Sequence, residues 1–374
     1  MSEIQGTERQ SNFELMRIIA MVLIVLYHTV RHGNWADGGL FYPDEITFNI
    51  VMLHAILPLG KLGVNLFVLV SGYFLITSTK STWPKAVRLW LEMLFYSVVM
   101  TLLFAVFDDY ELTPRRVFIM LTPFICETWW FATAYLLMLL ASPFINKLLN
   151  ACDARTHLKL IIGMVIVWSV VPSLFNEYPQ FSELIWFLTL YVIAAFVRLH
   201  PGYFSGCAKR YLLIGMGFYL AIVLLMVLID VTGFTTDIWG VDSYVDALHW
   251  HDNILVLGMS VFVFLAFVRT EIRHSRLINT VAGTMFGVYL LHEFPLMRDY
   301  LTHDLFDLYD YTSSPTLILH ILMVVAVIMA VGIAAEFVRQ TVMDRRLLKG
   351  LPEKILGLQN RFDAWIDRIL SKEE

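Results

Sequence analysis

Arg17 and His28 lie at the two ends of one strongly apolar stretch near the start of the chain, Arg17-IIAMVLIVLY-His28. Eleven residues of α-helix turn through about 1100°, within about 20° of three full turns, and rise about 16 Å, so both side chains share one face. Because an arginine and an imidazole are costly to expose to lipid, both are expected to face the protein interior. The spacing therefore predicts a polar track that these two residues line.

The composition places this stretch in a membrane protein. Hydrophobic residues make up 58% of the chain, charged residues make up 16%, and the mean hydropathy is +0.67. These values favour an all-α polytopic membrane protein, exclude a sizeable soluble domain and give no reason to expect a nucleic acid partner. About ten transmembrane helices of roughly 20 residues fit the apolar runs, near residues 13–31, 58–78, 88–107, 129–149, 159–175, 184–199, 211–231, 253–269, 281–298 and 315–338.

Loop charges predict the orientation of these spans. The loops after even-numbered spans hold twelve basic residues: Lys80, Lys85, Arg88, Lys147, Arg155, Lys159, Arg198, Lys209, Arg210, Arg269, Arg273 and Arg276. The loops after odd-numbered spans hold four: Arg31, Arg115, Arg116 and Arg298. This positive-inside bias predicts that both termini are cytoplasmic, with Arg17 nearer the cytoplasm and His28 nearer the outer face.

Two parts of the chain differ in pattern, a ten-helix membrane domain at 1–338 and a tail at 339–374. Apolar residues in the tail recur every three or four positions, namely Ile355, Leu358, Phe362, Ile366 and Ile369. With basic residues upstream, this pattern predicts a C-terminal amphipathic helix. It could lie on the inner leaflet of the lipid bilayer or pack against the cytoplasmic loops.

Several motifs together resemble a known family. Residues 12–21, NFELMRIIAM, lead to Tyr27-His28, and GVNLFVLVSGYFL begins at Gly63. The further motifs are Lys85-Ala-Val-Arg88, Trp130-Phe131, the stretch 135–143 and Gly287-Val-Tyr-Leu-Leu-His292. Over most of its length the chain thus resembles the acyltransferase 3 family of integral-membrane acyltransferases, in the free-standing form without an extra soluble domain. One departure is Lys85, where a second arginine would be expected.

The resemblance implies a reaction. Such proteins transfer an acyl group, usually acetyl, from acyl-coenzyme A on the cytoplasmic side to a hydroxyl of a cell-surface or exported glycan. Acyl-coenzyme A is then a co-substrate, no tightly bound cofactor is expected, and the location is a bacterial plasma membrane. The sequence does not indicate the glycan, the oligomeric state, or whether the acyl group is acetyl, succinyl or another short chain.

His28 and Arg17 are the catalytic candidates. An imidazole can take the hydroxyl proton near neutral pH, which makes His28 the candidate base. Arg17 carries a fixed positive charge suited to a coenzyme phosphate or to orienting nearby polar groups. Alternatively, Arg17 simply pairs with Glu14 at the membrane edge, and His28 is an ordinary interfacial residue.

Other candidates are less specific. Lys85 and Arg88, at the entrance of the third span, could bind donor phosphates or serve only as topogenic charges. Arg88 could also pair with Glu92. Five residues are candidates for lining the pocket: Lys61, Ser71, Trp130, His292 and Glu293. Ser71 and the neighbouring glycines favour close helix packing over a nucleophilic role.

Two motifs suggest other chemistry. His32 and Asp37 have a lysophospholipid-acyltransferase spacing, which is interpreted as chance because the motif lies in an outer loop. His249-Trp-His251, near Asp246 and Asp252, could suggest a metal, although a loop near the acceptor explains it as well. The cysteines lack metal-like spacing, and neither a metal nor a disulfide is expected.

The main alternative function is an ion- or proton-coupled transporter or flippase for a glycan or lipid-linked precursor. The absence of an internal repeat argues against it. A membrane-bound O-acyltransferase of the other large family, with His292 as its buried histidine, is disfavoured by the intact first-helix motif. A catalytically idle homologue would be expected to lose the pair of Arg17 and His28.

Overall fold

The computed structural model describes residues 10–33, 46–108, 110–175, 183–236 and 248–370, and these parts of the chain are helical without strands. The α-helices are α1 Ser11–His32, α2 Phe48–Leu75, α3 Trp83–Phe107, α4 Pro114–Leu121, α5 Trp130–Ala151, α6 Ala154–Val165, α7 Val171–Phe175, α8 Glu183–Leu199, α9 Ala208–Thr236, α10 Ile254–Val268, α11 Arg276–Ala282, α12 Met285–His292, α13 Pro295–Asp299, α14 Leu317–Arg339 and α15 Leu351–Leu370. Short 3₁₀ and π segments connect several of them.

Seven helical segments in the described residues are long and apolar enough to cross a membrane. They are Ser11–His32, Phe48–Leu75, Trp83–Phe107, Trp130–Ala151, Ala154–Phe175, Ala208–Thr232 and Leu317–Met343. The protein is therefore a multi-pass membrane protein. Two further predicted spans coincide with the shorter helices α8 and α10. The count of ten, the cytoplasmic termini and the boundary at residue 338 stay predictions.

The predicted ninth span, 281–298, is wrong as a continuous helix. The chain there forms α11, α12 and α13, with breaks at Gly283-Thr284 and at Glu293-Phe294. Pro295 opens α13 and holds Phe294 in an extended conformation, because a residue before proline disfavours the helical region. The second break leaves His292 and Glu293 at the end of α12, where side chains can converge on a neighbouring helix.

The second span was predicted to begin at residue 58, but α2 begins ten residues earlier. Thr47 caps it by accepting a hydrogen bond from the backbone N–H of Ile50 at 3.3 Å. Pro58 therefore lies inside the helix, where its ring removes one backbone donor.

Small residues let α1 and α2 approach closely, as the sequence predicts. A Cβ at Gly60 would overlap the Tyr27 side chain, and one at Gly63 would lie 2.5 Å from the carbonyl oxygen of Ala20. Both contacts leave no room for a methyl group. The approach holds the face of α1 that carries His28 against the centre of the bundle.

A buried ionic cluster joins α14 to α3, and α12 lies against it. Both carboxylate oxygens of Glu336 accept hydrogen bonds from the Arg339 guanidinium at 2.7 Å, and the Tyr96 hydroxyl donates a third at 2.7 Å. A side chain at Gly287 would overlap the Glu336 carboxylate. Gly287 therefore lets α12 lie directly on this cluster.

The C-terminal helix α15 has a row of exposed apolar side chains that includes Leu358, Phe362 and Trp365. Its Gln359 accepts a hydrogen bond from Ser81, just before α3. The predicted helix is therefore present and contacts the chain next to α3, whereas its contact with a lipid surface stays a prediction. The three cysteines are free.

Gly60→Ala should destabilise the protein, because the new methyl group must displace Tyr27 and part α1 from α2. A cost of about 1–3 kcal/mol is expected for such overpacking, measured as a lower thermal unfolding midpoint in detergent. Gly217→Ala is the control, since a Cβ there meets nothing within 4 Å. Equal midpoints for the two variants would contradict the close approach.

Candidate active site

His28 lies near the end of α1 and is 8% exposed. Its Nδ1 atom lies 2.9 Å from Nε2 of His292 and 2.9 Å from Oε2 of Glu293. The last two residues are at the end of α12, more than 260 positions later in the chain. The structure thus brings the candidate base together with two of the residues predicted to line the pocket.

The hydrogen bonds determine which nitrogen of His28 is free to act as a base. Nδ1 of His292 lies 2.7 Å from the carbonyl oxygen of Val288, which can only accept, so this nitrogen carries a proton. In neutral His292, Nε2 is therefore an acceptor, and Nδ1 of His28 must donate to it. Nε2 of neutral His28 keeps its lone pair, and the nearby Glu293 carboxylate would stabilise the imidazolium formed when it takes a proton.

Glu293 faces several basic groups. Its Oε1 atom lies 3.4 Å from Nε2 of His32 and 3.8 Å from the Arg298 guanidinium. A carboxylate this deeply buried needs such partners to stay ionised. His32 therefore belongs to the site through Glu293, whereas Asp37, its partner in the rejected motif, lies outside the described residues.

The same three groups could in principle hold a metal ion, because His28, His292 and Glu293 offer ligand atoms within 4.8 Å of one another. Tetrahedral zinc, with ligands at about 2.0–2.1 Å, would separate its ligand atoms by about 3.3 Å. The observed 2.9 Å contacts of His28 are both shorter than that separation; the contact with His292 is a hydrogen bond and the contact with Glu293 is an ion-pair contact. The geometry favours a proton-transfer site, and the absence of a metal stays a prediction.

A large cavity of about 710 Å³ opens at the other end of α1, where Arg17 lies. Four basic side chains line it, namely Arg17, Lys80, Lys85 and Arg198, together with the single carboxylate of Glu14. Arg17 donates to Glu14 at 2.7 Å and is still 28% exposed. The predicted pairing of these two residues is thus present, and it leaves Arg17 at the cavity wall. The excess of positive charge suits a polyanionic ligand.

Of the two donor-binding candidates on α3, only one faces this cavity. Lys85 is at its wall, whereas Arg88 is not among the described residues that line it. Arg198 and Lys80 are at the wall too, although sequence reasoning assigned both to the loops as topogenic charges. Ser71 also lines the cavity, where its hydroxyl donates to the Phe67 carbonyl and accepts from Tyr135, each at 2.9 Å.

A second, small cavity of about 20 Å³ lies beside His28. Phe67 and Phe131 line it, and one helical turn further along α2 and α5 Ser71 and Tyr135 line the large cavity. Phe131 stacks on Tyr135 and packs edge-on against Phe67. Arg17 and His28 thus line two cavities in the described structure rather than one continuous polar track, with an aromatic barrier of Phe67, Phe131 and Tyr135 between them.

The two remaining predicted pocket residues lie on the His28 side of this barrier. Trp130 lines the small cavity. Lys61 is buried, with its ammonium 4.7–5.8 Å from the ring centres of Tyr27, Trp130 and Trp250, a cation–π arrangement.

The His249-Trp-His251 motif therefore adjoins the site through Trp250. His251 stacks on Trp130 and contacts Glu183 at 2.9 Å, while Asp246 lies outside the described residues.

Comparison with known families identifies the class of protein. The family model described as an acyltransferase domain, that of the acyltransferase 3 family, matches residues 10–335. The match covers most of the chain, from α1 into α14, and the protein belongs to this family of membrane acyltransferases. No curated protein and no solved structure matches the chain.

Glu293→Gln should lower the rate of acyl transfer by about 10²–10⁴-fold, since the amide cannot stabilise the His28 imidazolium. The measurement is the transfer rate per amount of folded protein. Asp230→Asn is the matched control, because Asp230 contacts the buried His54 at 2.8 Å, away from the cavities. Stoichiometric zinc in the purified protein, with activity lost on chelation and restored by zinc, would instead show that these residues bind a metal.

Proposed function

We propose that the protein transfers an acetyl group from acetyl-coenzyme A, bound on the cytoplasmic side, to a hydroxyl of a cell-surface or exported glycan. One observation carries the proposal: an imidazole 2.9 Å from a buried carboxylate lies near one end of α1, and a cavity lined by four cations opens at the other end. Family membership supports the transfer of an acyl group. Donor, acyl group and acceptor are our inference from the site.

His28 acts as the base in this scheme. Its Nε2 takes the proton of the acceptor hydroxyl as the hydroxyl oxygen attacks the thioester carbonyl carbon. The tetrahedral intermediate then collapses, the C–S bond breaks, and the imidazolium returns the proton to the departing thiolate. The products are the glycan ester and the free coenzyme thiol, so protons and electrons balance without a redox partner. Glu293 supports this cycle because it stabilises the protonated imidazole.

The large cavity would bind the coenzyme. The phosphates of coenzyme A carry several negative charges. Matching cations line the cavity from α1, α3, α8 and the segment before α3, namely Arg17, Lys85, Arg198 and Lys80. Basic residues concentrated at this end also agree with a cytoplasmic location. Arg17 is best placed for phosphate binding because its contact with Glu14 orients the guanidinium at the cavity wall.

The aromatic barrier must open for the reaction. A donor seated among the cations reaches His28 only if its thioester end passes Phe67, Phe131 and Tyr135. The described structure thus corresponds to a closed arrangement, which would keep water from the thioester until donor binds. In this scheme the barrier opens by rotation of these side chains, since the two cavities share walls from α2 and α5.

One observation also fits the transport alternative. Two cavities separated by a thin aromatic barrier resemble an occluded carrier, in which each side opens in turn. Transport, however, does not require a carboxylate and an acceptor nitrogen to fix the tautomer of a cavity-lining histidine. Base catalysis by that histidine does. We therefore keep acyl transfer as the proposed function and transport as the alternative.

Arg17→Ala and His28→Ala should affect different kinetic constants. Arg17→Ala is expected to raise KM for acetyl-coenzyme A about tenfold or more with a smaller change in kcat, because phosphate contacts are lost. His28→Ala should lower kcat at saturating donor by about 10²–10⁴-fold. Single-turnover transfer measures the chemical step directly. Arg155→Ala, an exposed charge in another basic loop, is the control. Normal chemistry in the histidine variant would rule out His28 as the base.

Cells that express the gene should carry acyl esters on a surface glycan that otherwise identical cells without the gene lack. Mass spectra and NMR of the isolated glycans report both the reaction and the acceptor. An inactive His28→Ala copy, confirmed as present in the membrane, should not restore the esters. Identical acylation with and without an expressed gene would favour the transport alternative.

A further inference from the structure

The small cavity beside His28 is enclosed almost entirely by apolar side chains. Its lining residues are Met21, Ile24, His28, Val64, Phe67, Trp130, Phe131, Phe286 and Tyr289. Its volume of about 20 Å³ is slightly more than one water molecule requires. A site this small and apolar matches one methyl group and has no room for a sugar or a coenzyme.

Tyr289 gives the cavity an unused hydrogen-bond donor. Tyr289 is 3% exposed, and its hydroxyl donates no hydrogen bond to any residue that the structure describes. Its ring centre lies 6.5 Å from that of His28. Because a buried hydroxyl without a partner is unfavourable, its presence beside the candidate base points to an acceptor supplied by a ligand.

We propose that this cavity is the acyl-group pocket, in which the Tyr289 hydroxyl binds the thioester carbonyl oxygen and the apolar walls enclose the acetyl methyl group. The inference rests on the proposed function and extends it to the choice of acyl group. Longer chains would collide with the walls, and the carboxylate of a succinyl group would lose its hydration without gaining a partner. The pocket therefore selects acetyl over butyryl and succinyl.

The position of Tyr289 also gives it a role in the chemical step. When the acceptor oxygen adds to the carbonyl carbon, the carbonyl π-electrons move to oxygen and negative charge develops there. The Tyr289 hydroxyl keeps its proton and donates a hydrogen bond that strengthens as this charge grows. When the C–S bond breaks, the charge returns to the re-formed carbonyl.

Val64→Ala tests the size of the pocket, because it removes two methyl groups from one wall. Inside-out membrane vesicles expose the proposed donor side, and radiolabelled acetyl-, butyryl- and succinyl-coenzyme A are added in parallel. Label in alkali-labile esters of the glycan fraction is counted. The butyryl-to-acetyl rate ratio should rise at least tenfold in Val64→Ala. Val68→Ala, one turn along α2, buried and not among the described lining residues, should leave the ratio unchanged.

Tyr289→Phe tests the hydroxyl without changing the shape of the pocket. We expect kcat with acetyl-coenzyme A to fall about 10²–10³-fold, while KM and the thermal unfolding midpoint stay near wild type. Tyr219→Phe is the control, because the Tyr219 hydroxyl donates to the Ala55 carbonyl elsewhere in the protein. A purely structural role for Tyr289 would instead lower the midpoint and leave kcat of the folded protein unchanged.

The outcomes distinguish a failure of the proposed acyltransferase function from a failure of the acyl-group pocket. If wild-type vesicles transfer label from none of the three donors, the proposed function fails and the acyl pocket fails with it. If wild-type vesicles transfer acetyl and butyryl groups equally well, or prefer succinyl, the acyl pocket is wrong and the acyltransferase remains. An unchanged ratio in Val64→Ala, or a normal kcat in Tyr289→Phe, would overturn the pocket in the same way.

Discussion

The contact between Glu293 and His28 is the interaction on which the site depends. A carboxylate buried in a helix bundle is strongly unfavourable unless cationic or donor groups surround it. Glu293 meets this requirement through His28, His32 and Arg298, and in doing so it joins the end of α12 to the last two turns of α1. His28 Nδ1 donates to His292 Nε2, and the Glu293 carboxylate lies beside the same nitrogen. The atoms that stabilise the buried Glu293 carboxylate are therefore the same atoms that form the proposed proton-transfer site.

Much of the surrounding fold serves to bring these atoms together. Gly60 and Gly63 allow α1 to lie directly on α2, which places His28 at the small cavity. Gly287 allows α12 to rest on the cluster of Glu336 and Arg339, and the break before Pro295 leaves Glu293 at a helix end. Each of these features has a steric cause: the glycines lack a side chain that would block close packing, and the proline disfavours a helical conformation in the residue before it.

The sequence predicted the helical membrane bundle well because long apolar runs have few alternatives in lipid. It failed where local signals conflicted with packing. Pro58 resembles a helix start, yet the cap at Thr47 and the contacts of α2 carry the helix through it. The run 281–298 is apolar enough for one span, but it contains the breaks that position His292 and Glu293.

The site was only partly predictable for a related reason. The spacing of Arg17 and His28 follows from helix geometry, but the two residues line two cavities rather than the one shared track that was expected. Tyr289 and Arg198 were missed because their roles come from contacts between distant parts of the chain. A tyrosine in an apolar run and an arginine in a basic loop have ordinary explanations until those contacts are known. An apolar sequence pattern likewise does not predict that Phe67, Phe131 and Tyr135 form a barrier.

Nitrogen-15 NMR of the histidine side chains, with the His28 signals assigned by comparison with His28→Gln, tests the central pairing most directly. At neutral pH, in lipid, we expect His28 to carry its proton on Nδ1 and to show an unprotonated Nε2. Glu293→Gln should change these shifts more than any substitution in the large cavity. A His28 ring protonated on Nε2 and free on Nδ1, insensitive to Glu293, would contradict the proposed base and the site built around it.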